Sequence, residues 1–97
     1  MVKHIVFWNI KPGLDKQTVG NEMKSKLEAL KGKIPGLLKA EVGLDFNRSA
    51  AAFDIALYSE FTDEAALANY GPHPLHEAAK AYIGGVTDGR AVVDYLV

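Results

Sequence analysis

The stretch Val2-Lys3-His4-Ile5-Val6-Phe7-Trp8-Asn9-Ile10 constrains the fold most, because it is apolar on both faces of an extended chain. Successive side chains of a strand point to opposite sides. Val2, His4, Val6, Trp8 and Ile10 therefore face one way, and Ile5 and Phe7 the other. A strand of β-branched and aromatic residues with two apolar faces is stable only inside a sheet that is covered above and below. Lys11-Pro12-Gly13 ends it.

The rest of the chain must supply those covering layers. Asp15 is placed to cap a helix running to about Leu30, with Val19, Met23, Leu27 and Leu30 along one stripe. Gly32 and Ile34-Pro35-Gly36 stop it. From about Leu38 to Phe46, Leu38, Ala40, Val42, Leu44 and Phe46 alternate with polar residues or glycine, the pattern of a strand with one wet face. Asn47-Arg48-Ser49 turns the chain into a third strand, about Ala51 to Glu60. There Phe53, Ile55, Leu57 and Ser59 share one side, and Asp54, Ala56, Tyr58 and Glu60 the other. Thr62 caps a helical segment that stops near Tyr70. Leu75, Ala78, Ala79 and Tyr82 mark a further helix ending at Gly84-Gly85. Asp88-Gly89 forms a turn before the last strand, Arg90 to Val97.

The order is β-α-β-β-α-β with the second helix broken in two. It predicts an α+β, ferredoxin-like protomer whose four-stranded antiparallel sheet carries its helices on one face. The other face would then show Ile5, Phe7, Ala56, Tyr58, Val93 and Tyr95, more apolar surface than a soluble monomer usually exposes. The expectation is a homodimer, with two sheets packed face to face to close a dimeric α+β barrel. The 97 residues form a single domain, 1–97, with little stability to spare, which also favours association.

Composition narrows function by exclusion. With 48% apolar and 24% charged residues the chain is globular. A net charge of -1, without a basic and aromatic stripe, offers nothing to nucleic acid. Lys24, Lys26, Lys31 and Lys33 read as the solvated face of the first helix. The absence of cysteine removes disulfides, thiolate metal sites and thiol nucleophiles. The apolar run at the start is too short for a signal peptide or a membrane span, so a cytoplasmic protein without a membrane partner is expected.

The chemistry concentrates in Asn69-Tyr70-Gly71-Pro72-His73-Pro74-Leu75-His76-Glu77, where a phenol, two imidazoles and a carboxylate fall within nine residues. Pro74 suits the first position of a new helix, which puts His76 in its first turn. Unpaired backbone N–H groups and the positive end of the helix dipole disfavour an imidazolium there. A neutral imidazole that accepts a proton is the expected form. Each group also has a plainer role. His73 suits a turn, and His76 can bond Tyr70 or a backbone carbonyl and so hold the helix break together. His4 and Trp8 suit the core, and Glu77 favours the helix start. His73 and His76 straddle a helix start without a third ligand at useful spacing, so no metal is expected.

These residues carry a family resemblance. Lys3-His4-Ile5-Val6-Phe7, Ile34-Pro35-Gly36-Leu37, Ser59-Glu60-Phe61 and above all Tyr70-x-x-His73-Pro74-x-His76 are similar to the stress-responsive dimeric A/B-barrel (Dabb) family, across essentially the whole chain. The resemblance implies a ferredoxin-like protomer and a barrel-forming dimer. The family includes plant polyketide (olivetolic acid-type) cyclases, which perform an intramolecular aldol condensation without a cofactor, so none is expected here. Carried over, their acid-base pair falls on Tyr70 and His76 and their strand-one pocket histidine on His4. His73 would be the structural histidine before the proline.

The implied pocket lies between sheet and helices, lined by Val6, Trp8, Met23, Leu27 and Leu57. In it His76 would take a proton from carbon next to a carbonyl, while the Tyr70 hydroxyl stabilises the enolate or alkoxide. Met23-Lys24 and Leu27 stand where the cyclases offer aromatic residues, and Trp8 is bulky where they leave room, so a small carbonyl compound is expected rather than a long polyketide. Some family structures hold a cation on carbonyls past the first helix, here those of Lys31, Ile34 and Leu37, and such an ion is read as incidental. Three functions follow: a cofactor-free lyase or cyclase, a non-catalytic stress or scaffold dimer, and a dimeric-barrel monooxygenase-like protein.

Overall fold

The computed structural model describes Met1–Val97. Its elements in order are β1 (Val2–Ile10), α1 (Lys16–Glu28), β2 (Leu37–Leu44), β3 (Ile55–Phe61), α2 (Glu64–Tyr70), α3 (Pro74–Val86) and β4 (Thr87–Leu96). The strands form one antiparallel sheet in the order β2-β3-β1-β4. This is the ferredoxin-like arrangement. No helix is long and apolar enough to cross a membrane.

The two faces of β1 part as its alternation requires. Val2, His4, Val6, Trp8 and Ile10 are buried, and they share the core with Val19, Met23, Leu27 and Leu30, with Ala79 and Ile83, and with Ile55, Leu57 and Phe61. On the opposite face Ile5, Phe7, Ala56 and Tyr58 are half-buried, while Val93 and Tyr95 are exposed. An apolar surface thus remains open to solvent on the side away from the helices.

Asp15 caps α1 by accepting the Thr18 N–H at 3.1 Å. The helix stops at Glu28, two residues before the apolar stripe does. Beyond it Leu30 and Lys33 donate to carbonyls three residues back, so Leu30 is buried from a turn. At Gly36 φ is +82°, and a Cβ there would stand 2.4 Å from the Ala66 Cβ of α2. Only glycine satisfies both the left-handed backbone and the close approach.

The lysines of α1 are not all solvated. Lys24 Nζ donates to Glu28 at 2.7 Å and to the Val42 carbonyl at 2.7 Å, while Glu28 accepts the Val42 N–H at 2.9 Å. Side chains of the helix thus occupy both backbone groups of Val42 on edge strand β2, which blunts that edge against pairing with another chain.

Four local expectations are corrected. First, Leu37 is buried and Leu38 is 45% exposed, because a bulge between Leu37 and Lys39 opposite β3 shifts the alternation by one residue. Second, the hairpin connection is longer than a short turn and spans residues 45–54, so Phe46 lies outside the strand and is 90% exposed. Phe53 there packs on Phe7 at 5.8 Å between ring centroids, on the open face and not beside Leu57. Strand parity does not carry through a loop in which Asp54 takes the Ile10 N–H and Lys16, both at 2.8 Å.

Third, Asp63 and not Thr62 caps α2, accepting the Ala66 N–H at 2.8 Å, because the Thr62 N–H is held by the Gly36 carbonyl at 3.0 Å. Fourth, α3 runs through Gly84 and Gly85 to Val86, and β4 follows at once. Burial of Ile83 and the Thr87 hydroxyl on the Ile83 carbonyl at 2.8 Å outweigh the weak helix propensity of two glycines. Asp88-Gly89 is therefore part of β4, as a bulge. Ile10 faces Thr87 and Trp8 faces Arg90, so β4 spends one residue more than β1 over that interval. Gly89 absorbs it at φ +91°.

Candidate functional site

The break between α2 and α3 is where the sequence motif becomes geometry. Tyr70 closes α2, Gly71 caps it, and Pro74 opens α3 in its first turn. His73 is the N-cap of α3, its Nδ1 accepting the Leu75 N–H at 3.1 Å. That ring is occupied with the helix start and does not line the cavity described below.

His76 Nδ1 lies 3.1 Å from the Gly71 carbonyl. A carbonyl oxygen only accepts, so Nδ1 carries the proton and the neutral ring keeps its lone pair at Nε2. The Tyr70 ring stacks on His76 at 3.8 Å between centroids and meets Phe61 edge-on at 4.9 Å. Burial lowers the His76 pKa below its ordinary value. Burial also pushes the Tyr70 phenol up to about 12. At neutral pH the pair is thus an uncharged acceptor against a protonated phenol. The helix start was expected to keep His76 neutral, yet desolvation is the largest cause.

His4 reaches the same region from β1. Its Nδ1 bonds the Asp94 carboxylate directly across the β1–β4 pairing, and its ring is edge-on to Tyr70 at 6.2 Å. Its backbone carbonyl accepts the Ser59 hydroxyl at 2.8 Å. The Tyr70, His76 and His4 rings therefore form one cluster, with Phe61 behind them.

A cavity of about 290 Å³ opens beside this cluster. Its floor is His4, Val6, Trp8, Leu27 and Leu57, and His76 stands on its wall. Tyr70 and Met23 do not line it. Tyr70 stands behind His76, and Met23 is fully enclosed in the core. Trp8 is 6% exposed and forms floor without filling the space. Of the carbonyls considered for a cation, that of Ile34 already accepts the Leu37 N–H at 3.2 Å. No three His, Asp or Glu side chains converge in a way that would hold a metal ion.

Comparison with known proteins then decides the family. The model for the stress responsive A/B barrel domain, Dabb, matches residues 2–97. The chain belongs to the Dabb family. A dimeric protein of unknown function and ferredoxin-like fold from Bacteroides fragilis is 38% identical, with 99% of this chain and 95% of that one covered and a TM-score of 0.89. A dimeric ferredoxin-like protein of unknown function from Thermobifida fusca is 25% identical, over 99% and 90% of the two chains, with a TM-score of 0.85. A hydroxynitrile lyase from Passiflora edulis shares the fold at 22% identity, over 99% and 92%, with a TM-score of 0.84. No curated protein matches in sequence.

Half of the cavity wall in this Dabb chain was not found from its sequence. Lys80, Ile83 and Gly84 come from α3, and Thr87, Gly89 and Arg90 from β4. Asp94, the partner of His4, was missed as well. A signal existed for Asp94, a carboxylate between Val92 and Leu96 on the face that packs toward the helices. Arg90 shared that signal, since it alternates with Val92 and Asp94 on the same face; for Thr87 there was none, because its side of the sheet depends on the bulge at Asp88-Gly89.

Proposed function

We propose that this Dabb protein binds a small carbonyl compound in the cavity and acts on it by cofactor-free lyase or cyclase (aldol-type) chemistry, with His76 as general base. One observation carries the reading: a neutral imidazole, tethered through Nδ1 to Gly71, stands on the wall of an open cavity. Its Nε2 accepts a proton from carbon beside the carbonyl, and the released electron pair moves onto the carbonyl oxygen. Tyr70 does not reach the cavity; its ring, stacked on His76 from behind, holds and desolvates the imidazole, which makes it a positioning residue. His4 is a positioning residue, its ring fixed by Asp94. His73 serves the helix break.

Val6, Trp8, Leu27 and Leu57 supply apolar contact, and a cavity of about 290 Å³ suits a small molecule and not a long polyketide. A lyase of the same fold supports this class of chemistry. The protein works as a homodimer in the cytoplasm. Its open sheet face and the dimeric relatives support that assembly.

A second reading, a non-catalytic scaffold, is favoured by one feature. The His76 bond to Gly71 and the stacking of Tyr70 also hold the helix break together. NMR titration of His76 in wild type and Tyr70→Phe, with methyl acetoacetate and benzaldehyde added, separates the two. The expected result is a depressed pKa that moves with the substitution and again with a ligand. A His76 signal unmoved by ligand, in a folded protein, leaves the scaffold reading.

A further inference from the structure

We propose that Arg90, assisted by Lys80, recognises an anion, so that the substrate of the cavity is a small carbonyl compound bearing a carboxylate. This deepens the reading above and rests on it.

Lys80 and Arg90 are the only lining residues with a permanent charge, and both are cations. The nearby carboxylates leave Arg90 unpaired. Asp94 holds His4, and Glu77 pairs with Lys80 at 2.6 Å on the exposed face of α3. Arg90 has neither an ion pair nor a hydrogen bond within the chain, although its guanidinium offers five donors in a fork that matches a carboxylate. Lys80 can exchange Glu77 for a ligand at small cost, because an exposed ion pair of this kind contributes little.

The backbone puts Arg90 and Thr87 on one wall. In an uninterrupted strand Thr87 and Arg90 would point to opposite faces, since their positions differ by an odd number. Arg90 stands on the cavity side because it pairs with Trp8, and the extra residue at Asp88-Gly89 brings Thr87 to that side as well, with φ +91° at Gly89. Opposite Arg90 in the pairing is Trp8, and the floor beside it is Val6 and Leu57. An apolar floor strengthens the attraction between a cation and a carboxylate. The same cationic wall favours the additional negative charge that forms when His76 removes a proton from such a substrate.

The test compares acetoacetate, benzoylacetate and benzoate with their methyl esters, binding being followed through the His76 ring signals by NMR. Wild type should bind each acid at least tenfold more tightly than its ester, with acid affinity falling as NaCl is raised. Arg90→Gln should cut that preference at least tenfold, weakening acid binding more than ester binding, and Arg90→Lys should retain part of it. Equal affinity for acids and esters in wild type overturns the proposal while the neutral-carbonyl reading stands. So does an acid preference that survives both Arg90→Gln and Lys80→Gln. If neither acids nor esters move the His76 signals, both readings fail.

Discussion

At the scale of the residue, the burial of His76 couples its protonation to stability. Its pKa is lowered on folding, chiefly by burial, with Lys80 and His4 lowering it further and the Gly71 carbonyl and Glu77 opposing. Between the folded pKa and the ordinary value near 6.5, the unfolded chain binds the proton and the native protein does not. Stability from this residue is therefore complete above pH 6.5 and declines as pH falls through the folded pKa. Glu28, whose carboxyl is lowered mainly by the Lys24 hydrogen bond, acts in the same direction but begins only below its ordinary value of 4.5. Urea denaturation from pH 7.5 to 5 should accordingly show wild type losing stability below about pH 6.5, and His76→Gln should flatten that part of the profile. A parallel decline in both proteins would assign the effect to another group. The motif around His76 was legible because its members are neighbours in the chain. His4 and Asp94 meet across 90 positions, and no local pattern reports such a pair.

At the scale of the element, two glycines with opposite surroundings give a paired test. Gly85 lies inside α3, and a methyl group added there would meet nothing within 4 Å. Gly85→Ala should raise stability by about 0.5–1 kcal/mol, through helix propensity and a less disordered unfolded chain. Gly36→Ala should lower it by roughly 2–4 kcal/mol, since the methyl meets Ala66 and the backbone is left-handed. Denaturant midpoints of both variants check the two signs at once. The sequence marked Gly84-Gly85 as a helix end and Asp88-Gly89 as a turn, because glycine is usually a stop signal. Here packing of Ile83 and the pairing of β4 with β1 override that local preference.

At the scale of the whole molecule, the open sheet face is the uncovered apolar surface of the protomer, with Val93 55% and Tyr95 41% exposed beside half-buried Ile5 and Phe7. Sedimentation should give a mass twice the 10.5 kDa of the chain. Val93→Asp should shift the protein toward monomer, because burying an unpaired carboxylate at a symmetric interface places two of them close together. A monomeric wild type would contradict the assembly proposed here.

The sequence by itself determined the periods of its segments, and with them the element order, the buried stripe of α1, the two-faced β1 and the meeting of Tyr70 with His76 at the helix break. Those features depend on residues within a few positions of one another, where steric and hydrogen-bonding preferences act directly. Tertiary structure alone decided the bulges at Leu38 and Gly89, the length of the 45–54 loop and the side of the sheet on which Thr87 stands. One inserted residue reverses every side chain beyond it. Whether it is inserted depends on how strand pairing and helix packing balance across the whole sheet.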